Sequence, residues 1–200
     1  MTTRFTIAII HRNGLKRLMR VLDSILADIS SNDEVIIIDN NSADGSIDKI
    51  EKNSLYKDVK IIKNTCNTGY AFPCNQAMLS GNGRYFLLCN NDIKLPEKCL
   101  DEFEEIFNNS PQSGIIGGQL IDAKKNMVGS YSKTPTFLSE LDSIGRLRTP
   151  ERYKTIHEVG TLRGACLAVR KETIESAGMM DDDFFFYFEE TEWCMRIAKN

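Results

Sequence analysis

The sequence has no GxGxxG segment after its first strand and no GxxxxGK[ST], which excludes a dinucleotide fingerprint and a P-loop. None of its six cysteines (Cys66, Cys74, Cys89, Cys99, Cys166, Cys194) forms a CxxC pair, and several sit in apolar runs. A chain of 200 residues has room for a core that needs no covalent staples, so we read them as reduced thiols of a cytoplasmic protein. The two histidines, His11 and His157, lie far apart without HExxH or Cys/His spacing, which argues against zinc. Ser42 and Ser46 lack the GxSxG setting of a hydrolase nucleophile. No window approaches the roughly 18 apolar residues of a membrane span, and the opening apolar stretch, broken by Arg4, is too short for a secretory signal. Membrane contact is therefore expected to be peripheral if it occurs. With a net charge of -3, and the cations of residues 12–20 scattered around a helix, nothing here attracts nucleic acid. Repeats and low-complexity linkers are also missing, so a single domain over residues 1–200 is expected.

The first half alternates strand and helix signals. Residues 5–10 form an apolar β run. Asn13-Gly14 punctuates, and Leu15, Leu18, Met19, Leu22, Ile25, Leu26 and Ile29 trace the apolar stripe of a helix. Residues 35–38 are a four-residue β-branched run suited to a strand buried on both faces. A polar turn from Asp39 to Gly45 then leads to a short helix from about Ser46. Further strands are expected at 59–62 and 84–89, with helices at 70–79 and 97–107; Pro73 is tolerable only in a first turn. This alternation predicts an α/β fold with a largely parallel sheet, whose ligands bind beyond the carboxyl ends of the strands. The polar clusters 11–13, 39–42, 64–69 and 90–92 all fall at that edge. After Gly114 the rhythm changes. Strands are expected at 115–116 and 119–122, an irregular insertion at 124–158 with a hairpin near 128–132, a strand at 161–169, and helices at 171–177 and from Glu189.

Three acidic clusters carry the chemistry, each with a plainer reading beside it. Asp39 directly follows a buried strand, so it suits a base or ribose; equally, it suits a turn or the cap of the next helix. Asn90-Asn91-Asp92 ends another strand, and oxygen donors there fit a hard divalent cation, or merely a polar turn before Pro96. Glu189 and Glu190 follow five aromatic residues, Phe184 to Phe188. They read as first-turn acids favoured by the helix dipole, or as a base whose pKa is raised by apolar surroundings. Glu192 and Arg196, four apart, read as a surface ion pair.

Five segments, in order, resemble the family 2 glycosyltransferases of the GT-A fold, particularly the bacterial rhamnosyltransferase-like branch. Residues 35–46 (VIIIDNNSADGS) resemble that family's VDNNSTDGS segment, and Asn67-Thr68-Gly69-Tyr70-Ala71 with Asn75 its NxGFAxxxN loop. Residues 87–92 (LLCNND) fall where the family carries its DxD-type metal motif. Residues 163–170 (RGACLAVR) resemble GAxxLxRR, and residues 185–196 (FFYFEETEWCMR) look like FFxYxEDxDxCxR.

The resemblance implies a Rossmann-like, mostly parallel sheet with a nucleotide-binding half (1–110) and an acceptor and catalytic half (111–200), in a chain that stops before the whole enzyme does. It implies that Asp39 and Asn41 recognise the nucleoside, that Asn67, Gly69, Asn75 and Asn91 line the donor, and that Asp92 holds Mg2+ or Mn2+. Glu190, with Glu189 beside it, would supply the base for inverting transfer of a hexosyl or rhamnosyl group from a nucleoside diphosphate sugar. The acceptor would be a saccharide or lipid-linked saccharide, in bacterial surface polysaccharide (O-antigen or capsule) synthesis, in the cytoplasm or at the inner face of the membrane. Asn90 stands where many relatives have Asp, Glu190 where Asp is usual, and Phe72, Pro73 and Cys74 replace small or polar residues. A nucleotide-sugar-binding module without catalysis is the alternative. A phospho-receiver domain fits poorly, because such domains cluster acids near the amino end and run to only about 120 residues.

Overall fold

The computed structural model describes residues 2–133 and 156–200. The aliphatic runs form the centre of a sheet: β1 (Phe5–His11), β2 (Glu34–Asp39), β3 (Lys60–Lys63) and β4 (Tyr85–Asn90) lie parallel in the order β3-β2-β1-β4. Helices α1 (Leu15–Leu26), α2 (Ser46–Glu51) and α3 (Ala71–Ser80) make the crossovers, with Pro73 in the first turn of α3 as expected. Strand order steps one way from β1 to β2 to β3, so right-handed crossovers set α1 and α2 on one face. The return to β4 sets α3 on the other. The two apolar layers agree. Leu18, Leu22, Ile47 and Ile50 pack with Ile7, Ile9 and Ile37, and Ala71, Cys74 and Ala77 pack with Ala8, Ile36 and Ile38. Each fully buried Ile or Leu contributes about 1.5–3 kcal/mol, and together they fix where the strand ends emerge. Because the chain runs from β1 toward β2 but reaches β4 on the opposite side, a crevice opens beyond the ends of β1 and β4.

Helix α4 (Cys99–Asn109) follows β4, and β5 (Ile115–Gly117) forms the far edge of the sheet. A small ribbon pairs β6 (Tyr131–Ser132) with β7 (Thr161–Leu162). Then β8 (Cys166–Arg170) inserts antiparallel between β4 and β5, giving a six-stranded sheet that is parallel only over its first four strands. Helices α5 (Lys171–Ala177) and α6 (Glu189–Ile197) close the described fold. Among the described residues no helix is long and apolar enough to cross a membrane.

Several details depart from the pattern reading. Helix α1 stops at Leu26, short of Ile29, which still packs on the core. Asp28 leaves the helix because its carboxylate accepts the amides of Lys98 and Leu100 (3.1 Å for the latter) at the start of α4. Residues 119–122 form no strand, only an isolated bridge from Ile121 to Met127. The turn between them is held by Asp122, which accepts the amides of Lys124 and Asn126 at 2.8 Å each. The expected hairpin at 128–132 therefore lies several residues earlier, and Tyr131–Ser132 pairs with β7 instead. The strand expected over 161–169 is interrupted at Arg163 to Ala165, where the Tyr70 hydroxyl donates to the Gly164 carbonyl. Much of the insertion expected at 124–158 lies outside the described residues.

Candidate functional site

The end of β2 carries the first polar loop. Asp39 is 5% exposed, and its carboxylate accepts the amide of Ser42 (3.2 and 3.3 Å), which closes the turn after β2. Asn41 is exposed at φ 64°, in the left-handed region where asparagine is tolerated better than most residues. Its buried neighbour Asn40 organises the site. The Asn40 amide donates to Asn67 Oδ1 (2.7 Å) and the Gly69 carbonyl (2.8 Å), and its oxygen accepts from the Thr68 amide and hydroxyl (3.1 and 2.9 Å). Two loops 27 residues apart are thus one hydrogen-bonded surface. Asp44 accepts the amides of Gly14 (2.6 Å) and Ser46 (3.1 Å). The hydrogen bonds from Ser46, then that from Gly14, hold its carboxyl well below the usual range.

The end of β1 lies between β2 and β4, and places His11 opposite Asp39, one position beyond the pairing of Ile10 with Asn90. His11 is fully buried, with Nε2 2.8 Å from Ser46 Oγ and Nδ1 2.8 Å from Asn91 Nδ2. Burial holds its pKa below the usual range against the pull of Asp39 and Asp44. Asn91 Nδ2 also donates to the Asn13 carbonyl (2.9 Å). Asp92, one residue on, is exposed. Among the described residues no three His, Cys, Asp or Glu side chains converge as a metal cage. The turn's donor set, one carboxylate flanked by amide oxygens, fits only the mode in which magnesium or manganese takes one protein carboxylate and fills its remaining positions with phosphate and water.

The acid helix reaches the same edge through Gly69. The Tyr70 amide donates to the Phe185 carbonyl at 3.0 Å, and Gly69 (φ 85°) lies directly under that carbonyl. Phe185, Phe186, Tyr187 and Phe188 are all more than half exposed, with Tyr187 and Phe188 at positive φ. Much of their ring surface is therefore open to solvent. Glu189 is buried (3% exposed) and Glu190 half-buried, and each has a buried Oε2 with no hydrogen-bond partner. Burial raises the Glu189 carboxyl above the usual range, with the Glu190 charge adding to it.

Between the unfolded and folded pKa of Glu189 the native state binds more protons, so stability falls as pH rises through that window. Glu189→Gln removes the slope. Thermal midpoints of wild type and variant should converge below the ordinary carboxylate range and separate above it, with the variant higher. A gap independent of pH would contradict this.

Two residues have partners that the sequence does not show. Asn75 donates to the Met180 carbonyl (2.8 Å) and accepts the Met180 amide (3.1 Å), so it clamps α3 to the segment before α6. Glu192 and Arg196 form more than a surface pair. Besides Glu192 (2.7 and 2.8 Å), Arg196 donates to the carbonyls of Ala177 (2.5 Å) and Met179 (2.9 Å), while Trp193 Nε1 donates to Gly178 (2.8 Å). These bonds dock α6 on the turn after α5, and the hydrogen bond from Arg196 holds the Glu192 carboxyl below its usual range. In the sequence His11 and Asn40 stand out only as members of the polar clusters 11–13 and 39–42 at the strand ends.

A doubly wound sheet gathers its acids and amides at the reversal point, where sheets of this kind bind their ligands. Residues 6–176 match the family model for glycosyl transferase family 2, and the chain belongs to that family. The low-salt glycan biosynthesis hexosyltransferase Agl10 of Haloferax volcanii is 23% identical over 183 residues, covering 89% of this chain and 57% of that protein. The N-acetylglucosaminyl-diphospho-decaprenol L-rhamnosyltransferase of Mycobacterium tuberculosis is 22% identical over 205 residues, covering 89% and 66%. The chain thus spans less than two thirds of these relatives' length. Among solved structures, S. aureus TarS 1-349 superposes with a TM-score of 0.70 at 16% identity over 97% of this chain and 55% of its own. The mannosyltransferase PcManGT of Pyrobaculum calidifontis, in complex with GDP-Man and Mn2+, gives 0.69 at 14% over 99% and 52%. The shared fold is the GT-A arrangement expected from the sequence.

Proposed function

We propose that this chain is the donor-binding and catalytic part of an inverting glycosyltransferase that uses a nucleoside diphosphate sugar. One observation carries the reading. The loop ordered by Asn40, the Asn91-Asp92 turn and the acid helix share one sheet edge, tied by His11 on one side and by the Gly69–Phe185 contact on the other. Asp39 and Asn41 meet the nucleoside, and the Asn67–Gly69 loop and Asn91 line the diphosphate and sugar. Asp92 would hold a divalent cation that offsets charge on the leaving diphosphate. Glu190 accepts the proton of the acceptor hydroxyl as its oxygen bonds to the anomeric carbon. The bond from that carbon to the diphosphate oxygen breaks with its electron pair leaving on the diphosphate, and the centre inverts.

The relatives support the substrate class. PcManGT is bound to GDP-Man and Mn2+, a TarS structure to UDP-GlcNAc, and GalNAc-T7 to UDP, GalNAc and Mn2+. The decaprenol rhamnosyltransferase motivates a lipid-linked saccharide acceptor, hence surface polysaccharide assembly at the cytoplasmic membrane face with peripheral contact. Asn90, an amide where a second carboxylate would strengthen cation binding, favours the alternative of a binding module without chemistry; release of nucleoside diphosphate from donor separates the two.

Titration of UDP, GDP and dTDP sugars tests the reading. One base class should bind saturably, and Asp39→Ala should weaken it by about 1.5–3 kcal/mol, the scale of hydrogen bonds to a charged group. Lost turnover with unchanged nucleotide affinity in that variant would contradict the assignment of Asp39.

A further inference from the structure

Two histidines are all this sequence has, and one of them ends the strand at the reversal point of the sheet with no exposed surface. Its hydrogen bonds fix its chemistry. The Asn13 carbonyl can only accept, so the Asn91 atom facing it is the amide nitrogen, and that same nitrogen faces His11 Nδ1. Nδ1 is therefore the unprotonated acceptor, and Nε2–H is left to donate to Ser46 Oγ. Ser46 opens α2, and its amide binds Asp44, whose carboxylate also holds Gly14. A rigid ring thus spans, without water or a flexible link, from the turn that carries Asp92 to the loop that follows Asp39.

We propose that His11 is a positioning residue that couples the cation turn to the nucleoside loop, so that a divalent cation tightens nucleotide binding through it. The inference rests on the transferase reading for the identity of both ligands; the residues and bonds are this chain's own. Nucleotide on the Asp39 side orders Ser42 to Ser46. Ser46 holds His11, His11 holds the Asn91 amide, and Asn91 sets the turn that presents Asp92. Binding at either end then costs less ordering at the other, which is a reciprocal coupling.

The test is calorimetric titration of UDP, GDP and dTDP, each with and without Mn2+, into wild type, His11→Phe and His11→Gln. For the nucleotide that binds, wild type should show tightening by Mn2+ of about tenfold. His11→Phe, which fills the space without hydrogen bonds, should bring that tightening to within about twofold of none while metal-free affinity falls less. His11→Gln, which keeps a donor and an acceptor, should restore part of it. Ser46→Ala removes only the far hydroxyl and should halve the tightening or more; it carries the test if His11→Phe fails to fold. A folded His11→Phe or Ser46→Ala with the full Mn2+ effect overturns the proposal, as does nucleotide binding by wild type without any Mn2+ effect. Absence of nucleotide binding by wild type overturns the transferase reading itself, so the two failures are distinguishable.

Discussion

Replacing Glu190 by glutamine should lower sugar transfer by about 10²–10⁴-fold, the usual contribution of a positioned general base, and leave nucleotide affinity nearly unchanged. Glutamine keeps the shape and removes only the proton acceptor. Three carboxylates open α6, and the structure separates their circumstances. Glu192 is committed to Arg196 in a bidentate pair, and Arg196 also holds the preceding turn. Glu189 is almost fully buried. Glu190 is half-buried, and its shielded Oε2 has no hydrogen-bond partner. Initial rates at saturating donor, compared with donor affinity by titration, make the test. Turnover within about threefold of wild type for Glu190→Gln, beside an inactive Glu189→Gln, would move the base one residue along the helix.

Gly69→Ala should be nearly as damaging although it alters no chemical group. The position has φ 85°, which a side chain rarely adopts, and a Cβ there would stand 1.9 Å from the Phe185 carbonyl oxygen. That oxygen is backbone, so one loop must move. The Tyr70–Phe185 bond at 3.0 Å is lost with it, and this bond joins the donor loop to the acid helix. A displacement of about 1 Å between reacting groups costs roughly 100-fold in rate. Turnover should therefore fall by about that factor, with a lower thermal midpoint. Wild-type turnover in a folded Gly69→Ala protein would show that the two loops need not be joined.

The parallel half of the fold was legible because its signals are local. The apolar runs at 5–10, 35–38 and 84–89 can satisfy their burial only as central strands, and Pro73 marked its helix start correctly. The second half was less so, because β8 is an antiparallel strand whose partners in β4 lie 77 to 85 residues upstream and whose run breaks at Gly164 to suit Tyr70. The site shows the same division. Asp39, Asn67 and Asp92 stand at strand ends or in loops where periodicity alone puts them. Asn40, His11 and the extra partners of Arg196 owe their roles to hydrogen bonds spanning 17 to 80 residues, which no spacing rule encodes. The Asn75 amide likewise has a partner, Met180, that lies 105 residues away.

Under the proposed function, this sheet edge binds a nucleoside diphosphate with a cation held by Asp92. Calorimetric titration of UDP, GDP and dTDP into wild type and Asp92→Ala, with Mn2+ and with chelator, tests it most directly. Wild type with Mn2+ should bind one nucleotide tightly and the other three conditions should bind it weakly; equal affinity in all four would contradict a cation held by Asp92.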